Sequence, residues 1–142
     1  MQPHEYIISE ALKRLSTNPA LADASRATLI GQNSASLAEA IAKNLDGLDN
    51  VAIVVCIDRV AYSRTKPRTA TVDFSVRCTE NVPVNRTKTD FLTALDCAFL
   101  AGDALDGDFA HAEDVTHSTP GEGVLEAVAK FSTAVTFELV SI

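Results

Sequence analysis

The sequence predicts an α+β fold, and three observations carry that prediction. Apolar residues recur at three- and four-residue spacing in some stretches and at two-residue spacing in others, the marks of one-sided helices and strands. These stretches run helix, helix, strand, strand, helix, strand, strand, so hairpins are expected rather than strictly alternating crossover units. The chain has 142 residues, enough for one domain over 1–142 that buries roughly two-thirds of its unfolded surface. The simplest arrangement is an antiparallel sheet of about four strands, with two N-terminal helices and a third helix packed on its apolar face.

Residues 4–15 read as the first helix, because Ile7, Ile8, Ala11, Leu12 and Leu15 fall on one face. Pro3 suits its first turn, and Asn18-Pro19 marks its exit. Residues 19–33 are rich in Ala and Ser and fit either a loop or an irregular helix. From about Ala35 to Leu45 a second helix is expected, with Ser36 and Glu39 as a capping box and Asp46-Gly47 at its end.

Val51 to Ile57 is nearly continuous apolar sequence, so 51–62 reads as a strand covered on both faces. Residues 68–79 alternate cleanly. Ala70, Val72, Phe74, Val76 and Cys78 point to a core, while Thr71, Asp73, Ser75, Arg77 and Thr79 point to water or a partner. The short polar link Ser63 to Pro67 joins the two strands as an antiparallel hairpin. Residues 88–101 read as the third helix, opened near Thr87 and Asp90 and stopped at Gly102, with Phe91, Leu92, Leu95, Ala98 and Phe99 facing inward. An acidic turn region follows to Asp108, then a weaker strand over 109–117. Thr119-Pro-Gly-Glu-Gly123 has turn chemistry. Residues 125–140 close the chain as a strand with Phe131, Thr133, Val135, Phe137 and Leu139 on one face.

Charge is segregated along the chain. The net charge is −7, yet residues 59–88 hold seven of the twelve basic residues and only two acids, a local +5. Residues 89–129 hold nine acids and no Lys or Arg. The acidic total argues against a general nucleic-acid binder. No run of about 18 apolar residues suggests a membrane span. No basic region followed by an apolar stretch opens the chain, so no signal peptide is expected. Cys56, Cys78 and Cys97 are odd in number and widely spaced, and read as small core residues in a reducing, cytoplasmic setting. Asn85-Arg86-Thr87 matches a glycosylation sequon that has no role without export.

Chemistry-bearing patterns are sparse. His111, Glu113 and His117 share a face at period two and are suitable donors for a divalent metal. A straight strand would nevertheless place the two histidines about 20 Å apart. Asp103, Asp106 and Asp108 lack the spacing of a calcium loop; the twelfth position from Asp103 is Asp114, where an EF-hand needs glutamate. There is no nucleophile elbow and no phosphate-cradling glycine loop. Neither a catalytic residue nor a cofactor is expected.

What remains is the basic hairpin. Arg64, Lys66 and Arg68 sit at or beside its tip, and Asp103, Asp106 and Asp108 lie in the acidic stretch. Read blandly, both are solvated surfaces. Read functionally, the hairpin is a docking arm that meets the acids of a neighbouring copy, a heterologous contact of the kind that closes into rings.

A leading helix (Glu5 to Leu15), a long hairpin (Val51 to Thr79), a helix (Thr87 to Ala101) and a closing pair of strands resemble the tail-terminator and tail-completion proteins of long-tailed bacteriophages and related prophage elements. The stretches Arg68 to Arg77, Thr89 to Leu95 and Ala134 to Val140 are where the likeness is closest. The resemblance implies a non-enzymatic virion subunit that forms a ring, commonly a hexamer, capping the tail tube and joining it to head and neck proteins. Its partners are then other copies of itself and tail-tube proteins, with nucleic acid confined to the ring lumen and no membrane. The alternatives are a small-ligand-binding or enzymatic α+β domain, with a pocket between the sheet and the third helix, and an adaptor whose hairpin docks on another protein.

Overall fold

A computed structural model describes residues 3–30, 49–63 and 69–136 of the chain. Helix α1 spans Pro3–Thr17 and α2 spans Pro19–Ala22. Strand β1 is Ala27–Ile30, β2 is Val51–Tyr62 and β3 is Thr69–Asn81. A short helix α3, Val82–Asn85, precedes the main helix α4, Ala94–Leu105. Strands β4, His111–Gly121, and β5, Val124–Thr136, complete the order. The class is α+β, with a five-stranded mixed sheet in the order β1-β2-β3-β5-β4. Among the described residues no helix is long and apolar enough to cross a membrane.

Four of these strands are the antiparallel set expected from the sequence. The fifth, β1, lies in the segment 19–33 that local pattern left ambiguous, and pairs parallel with β2 from Ala27↔Val51 to Ile30↔Val54. A four-residue strand whose partner lies more than twenty positions away leaves almost no local signal. Its seat is secured by Asn50, which is buried: its Oδ1 accepts the Thr28 hydroxyl at 3.0 Å and its Nδ2 donates to the Ala24 carbonyl at 2.7 Å. Upstream, Asn18 caps α2 by accepting the Ala20 and Leu21 N–H groups, with Pro19 at the helix start where its missing N–H is not needed. The second helix expected over 35–45 and the hairpin tip 64–68 lie outside the described residues, as do Phe137 and Leu139.

One face of the sheet carries the main core. Register places Ile53, Cys78 and Ala127 in one row and Ile57, Phe74 and Phe131 in another. Phe74 stacks on Phe131 with centroids 5.1 Å apart and meets Phe109 at 5.9 Å. Each such buried aromatic contributes about 1.5–3 kcal/mol through burial. Helices α1 and α4 touch each other and cover this face, α1 through Ile7, Ala11 and Leu15. The opposite phase of β2 is buried too, at Ala52, Val54 and Cys56, as the continuous apolar run predicted. The polar phase of β3 differs from expectation: Ser75 and Thr79 are buried rather than facing water.

Helix α4 corrects the sequence reading in two ways. It starts at Ala94, not near 88, because Thr93 and Asp96 form a reciprocal capping box there. It also runs through Gly102 to Leu105. Glycine costs about 1 kcal/mol in a helix interior, but Leu105 is fully buried at the end of the extra turn. The face that meets the sheet is Ala94, Cys97, Ala98, Ala101 and Leu105, a row of mostly small side chains. Leu95 and Phe99, expected to point inward, lie at the flank, and Phe99 is 57% exposed.

Candidate functional site

That rotation of α4 opens a cleft beside strand β4. Strand β4 is an edge of the described sheet, and α4 covers it only in part: Ala112 and Val115, on its core-facing phase, pack against the core but are half-buried. A cleft of about 610 Å3 opens between helix and strand. Its floor is apolar, from Leu95, Phe99, Val115 and Phe131, and its lips carry Asp103 and Asp106 from the helix side and Glu113, Asp114 and His117 from the strand. Asp106 holds the two sides together, its Oδ1 accepting the Ala112 N–H at 2.9 Å. Lys130 is the one cation among the described residues that line the cleft, and its strand phase belongs to the opposite face, where it pairs with Ser75 and Asp114.

The acids singled out by sequence therefore divide. Asp103 and Asp106 share the cleft. Asp108 lies beyond it and meets Arg14 at 3.4 Å, while that guanidinium also bonds Glu10 at 3.0 Å and covers the Phe109 ring at 4.9 Å. The basic segment divides as well. Arg77 pairs with Glu126 at 3.5 Å, Arg86 with Glu80 at 3.0 Å and Lys88 with Asp49 at 3.4 Å. Arg59 is exposed with no ion pair among the described residues. Arg64, Lys66 and Arg68 fall outside the described residues.

The histidine pattern does not assemble. A bulge between Ala112 and Asp114 shifts the phase of β4, so His111 pairs with Ser132 on one face and His117 with Ala127 on the other. Among the described residues no three His, Cys, Asp or Glu side chains lie close enough to hold a metal ion. The cysteines are all buried and free. Burial pushes the Cys56 thiol up to about 11 and Cys97 to about 12, and raises Cys78 well above its ordinary value. Thiols so raised are not thiolates at neutral pH and behave as core atoms.

The other end of α4 holds a second polar centre that sequence reading passed over. Glu80 is fully buried, on the inward phase of β3 directly after Cys78. Its carboxylate accepts four hydrogen bonds: from Asn85 Nδ2 at 2.7 Å, Arg86 Nε and Nη2 at 3.0 and 3.3 Å, and the Ala94 N–H at 3.1 Å. Ala94 is the first residue of α4, so the charge also meets the positive end of the helix. Burial by itself would raise this carboxyl's pKa. The donors from Arg86, Asn85 and Ala94 outweigh it, and the group is held below its ordinary value. Asn85 is itself buried and also donates to the Leu92 carbonyl at 2.8 Å, so the sequon nitrogen is committed to the fold. The signal was available: Glu80 is the next residue in the series Ala70, Val72, Phe74, Val76, Cys78, and an acid in an inward phase calls for a partner.

No protein-family model matches the chain, and neither does any curated protein sequence.

Proposed function

We propose that this protein is a non-enzymatic assembly subunit that forms a homo-oligomeric ring, of the kind that terminates a phage tail tube and joins it to the head. The observation that best supports the reading is the cleft beside the half-covered edge strand, apolar on its floor and ringed by carboxylates. Soluble chains seldom leave such a surface without a partner. The opposite charge resides in the same chain, in residues 59–88, so copies are mutually complementary. Two distinct patches in contact give a heterologous interface, which closes into a ring when the rotation allows. In that setting the partners are neighbouring copies and tail-tube and head-neck proteins, nucleic acid meets only the lumen, and the protein resides in the virion.

Multi-angle light scattering in low and high salt checks the ring, together with negative-stain images. We expect a closed oligomer in low salt that loosens as salt rises. A monomer at high concentration in both buffers removes the reading. The size of the cleft favours a second reading, because about 610 Å3 lies within the range of small-ligand pockets. A metabolite that survives native mass spectrometry of the purified protein, with no oligomer present, would establish that alternative instead.

A further inference from the structure

The side of α4 that faces the cleft is one helical stripe, Leu95, Phe99, Gly102, Asp103 and Asp106, apolar at its start and acidic in its last turn. Three of these residues have no account in the fold of the chain. Gly102 sits inside the helix, where glycine is a poor choice. Its φ is not left-handed, and a Cβ there would meet no atom within 4 Å, so neither backbone nor packing calls for glycine. Phe99 is a large aromatic more than half exposed beside it. Asp103, one turn on from Phe99, lies where the helix end is negative, and its carboxylate has no ion pair or hydrogen bond among the described residues.

Together these residues describe a ligand by its chemistry. A bare helix backbone suits a bound group that approaches closely. Phe99 and Asp103 are neighbours on the helix surface, so a cation held by the acid lies against the ring. The lips add Asp106, whose Oδ1 takes the Ala112 N–H, and Glu113 and Asp114 from β4. Against these carboxylates the described lining has one cation, Lys130, and its strand phase belongs to the other face. An anion is repelled here, and a neutral apolar molecule strips water from carboxylates without replacing it. A bare metal ion finds no three ligands close enough among the described residues, and has no use for an apolar floor. An organic cation satisfies both halves of the cleft.

We propose that the cleft between α4 and β4 binds a small organic cation, an ammonium or guanidinium group carried on an aromatic or alkyl body. The cationic group meets Asp103 and Asp106, and the body lies over Gly102 against Phe99 and Val115. This deepens the second reading above, the small-ligand pocket, and rests on it. Where copies also assemble through this cleft, the cation and the neighbouring copy compete for it.

Three probes that share one aromatic body test it by NMR titration of the full chain: phenethylammonium, phenethyl alcohol and phenylpropionate, a cation, a neutral molecule and an anion. The ammonium is expected to shift the Phe99, Gly102 and Val115 amides and to bind at least about tenfold more tightly than the other two. Asp103→Asn alters an exposed side chain without a partner, and is expected to weaken the ammonium about fivefold or more while the alcohol binds as before. Gly102→Leu projects into open space, so the amide spectrum should remain that of a folded chain while all three probes lose the site. If the alcohol binds as tightly as the ammonium, or Asp103→Asn changes nothing, the cationic ligand is wrong while the small-ligand pocket survives. If a folded Gly102→Leu binds the ammonium as the unaltered chain does, the site lies elsewhere and the proposal falls. If no probe shifts the cleft amides at millimolar concentration, the proposal and the pocket reading fall together.

Discussion

The two ends of helix α4 place carboxylates in opposite circumstances. At the N-terminus, Glu80 is fully buried, accepts four hydrogen bonds and sits where the helix dipole favours it. At the C-terminus, Asp103 and Asp106 are exposed and sit where the dipole opposes them; among the described residues Asp103 has no ion pair or hydrogen bond, while Asp106 accepts the Ala112 N–H. The first arrangement holds the fold together; in the second, Asp106 ties α4 to β4 while Asp103 is a cost to the isolated chain. Acids placed against local stability are what the proposed assembly surface would need, since function and stability can compete.

Breaking the buried end should have the largest effect. Glu80→Ala leaves the Arg86 guanidinium, the Asn85 amide and the Ala94 N–H without their acceptor. Arg86 is exposed and can turn to water, but the Asn85 amide and the Ala94 N–H are left buried without their acceptor; such a loss costs about 1–3 kcal/mol, which urea denaturation will read directly as a lower midpoint. Acid should act on the same centre. The folded-state pKa of Glu80 lies below its unfolded value, so its contribution is fully present above the ordinary carboxyl range and is lost as pH falls through the depressed folded value. Thermal melts should therefore drop on acidification more steeply for the native chain than for Glu80→Gln.

At the same end, Thr93→Ala removes one side of the capping box and should destabilise by about 1 kcal/mol, measured by chemical denaturation. The smallest effect on stability, and the one that separates the two ends most sharply, belongs to Asp103→Lys. Placing a cation in the last turn should raise monomer stability by about 0.3–1 kcal/mol while weakening association in light scattering. If stability falls and association is unchanged, the contrast between the two ends of α4 fails.

Much of the fold was legible in local pattern. The alternation from Ala70 to Cys78 set the inward phase of β3, and Ile7, Ala11 and Leu15 set the buried stripe of α1. The acids Asp103 and Asp106 stood out by composition before any geometry was known. Phe99 did not stand out as a surface residue. A helix with apolar side chains on two flanks can turn either flank inward, and only packing against Phe131, Ala127 and Ala129 selects the row with small residues. A small-residue face lets the helix axis approach the sheet closely, which leaves Leu95 and Phe99 to wall the cleft. The phase shift that separates His111 from His117 was hidden for a different reason. A bulge adds one residue to a strand without a fixed sequence signature, so a period-two reading carried straight through it.

By itself, then, the sequence determined what depends on near neighbours: helix and strand periods, the β2–β3 hairpin, the turn before Val124, and the separation of basic from acidic segments. At that turn Gly123 takes a φ of +73 while Pro83 stands 3.3 Å from where a Cβ would lie, so glycine there serves both the turn and the packing. The tertiary structure decided what depends on distant partners: the parallel pairing of β1 with β2, the rotation of α4 about its axis, the bulge in β4, and the burial of Glu80 under the start of a helix fourteen residues further on. Local periods arise from backbone geometry that each segment carries within itself. Pairing, facing and burial are settled by competition among segments for the same apolar surface, and that competition exists only once the chain has folded.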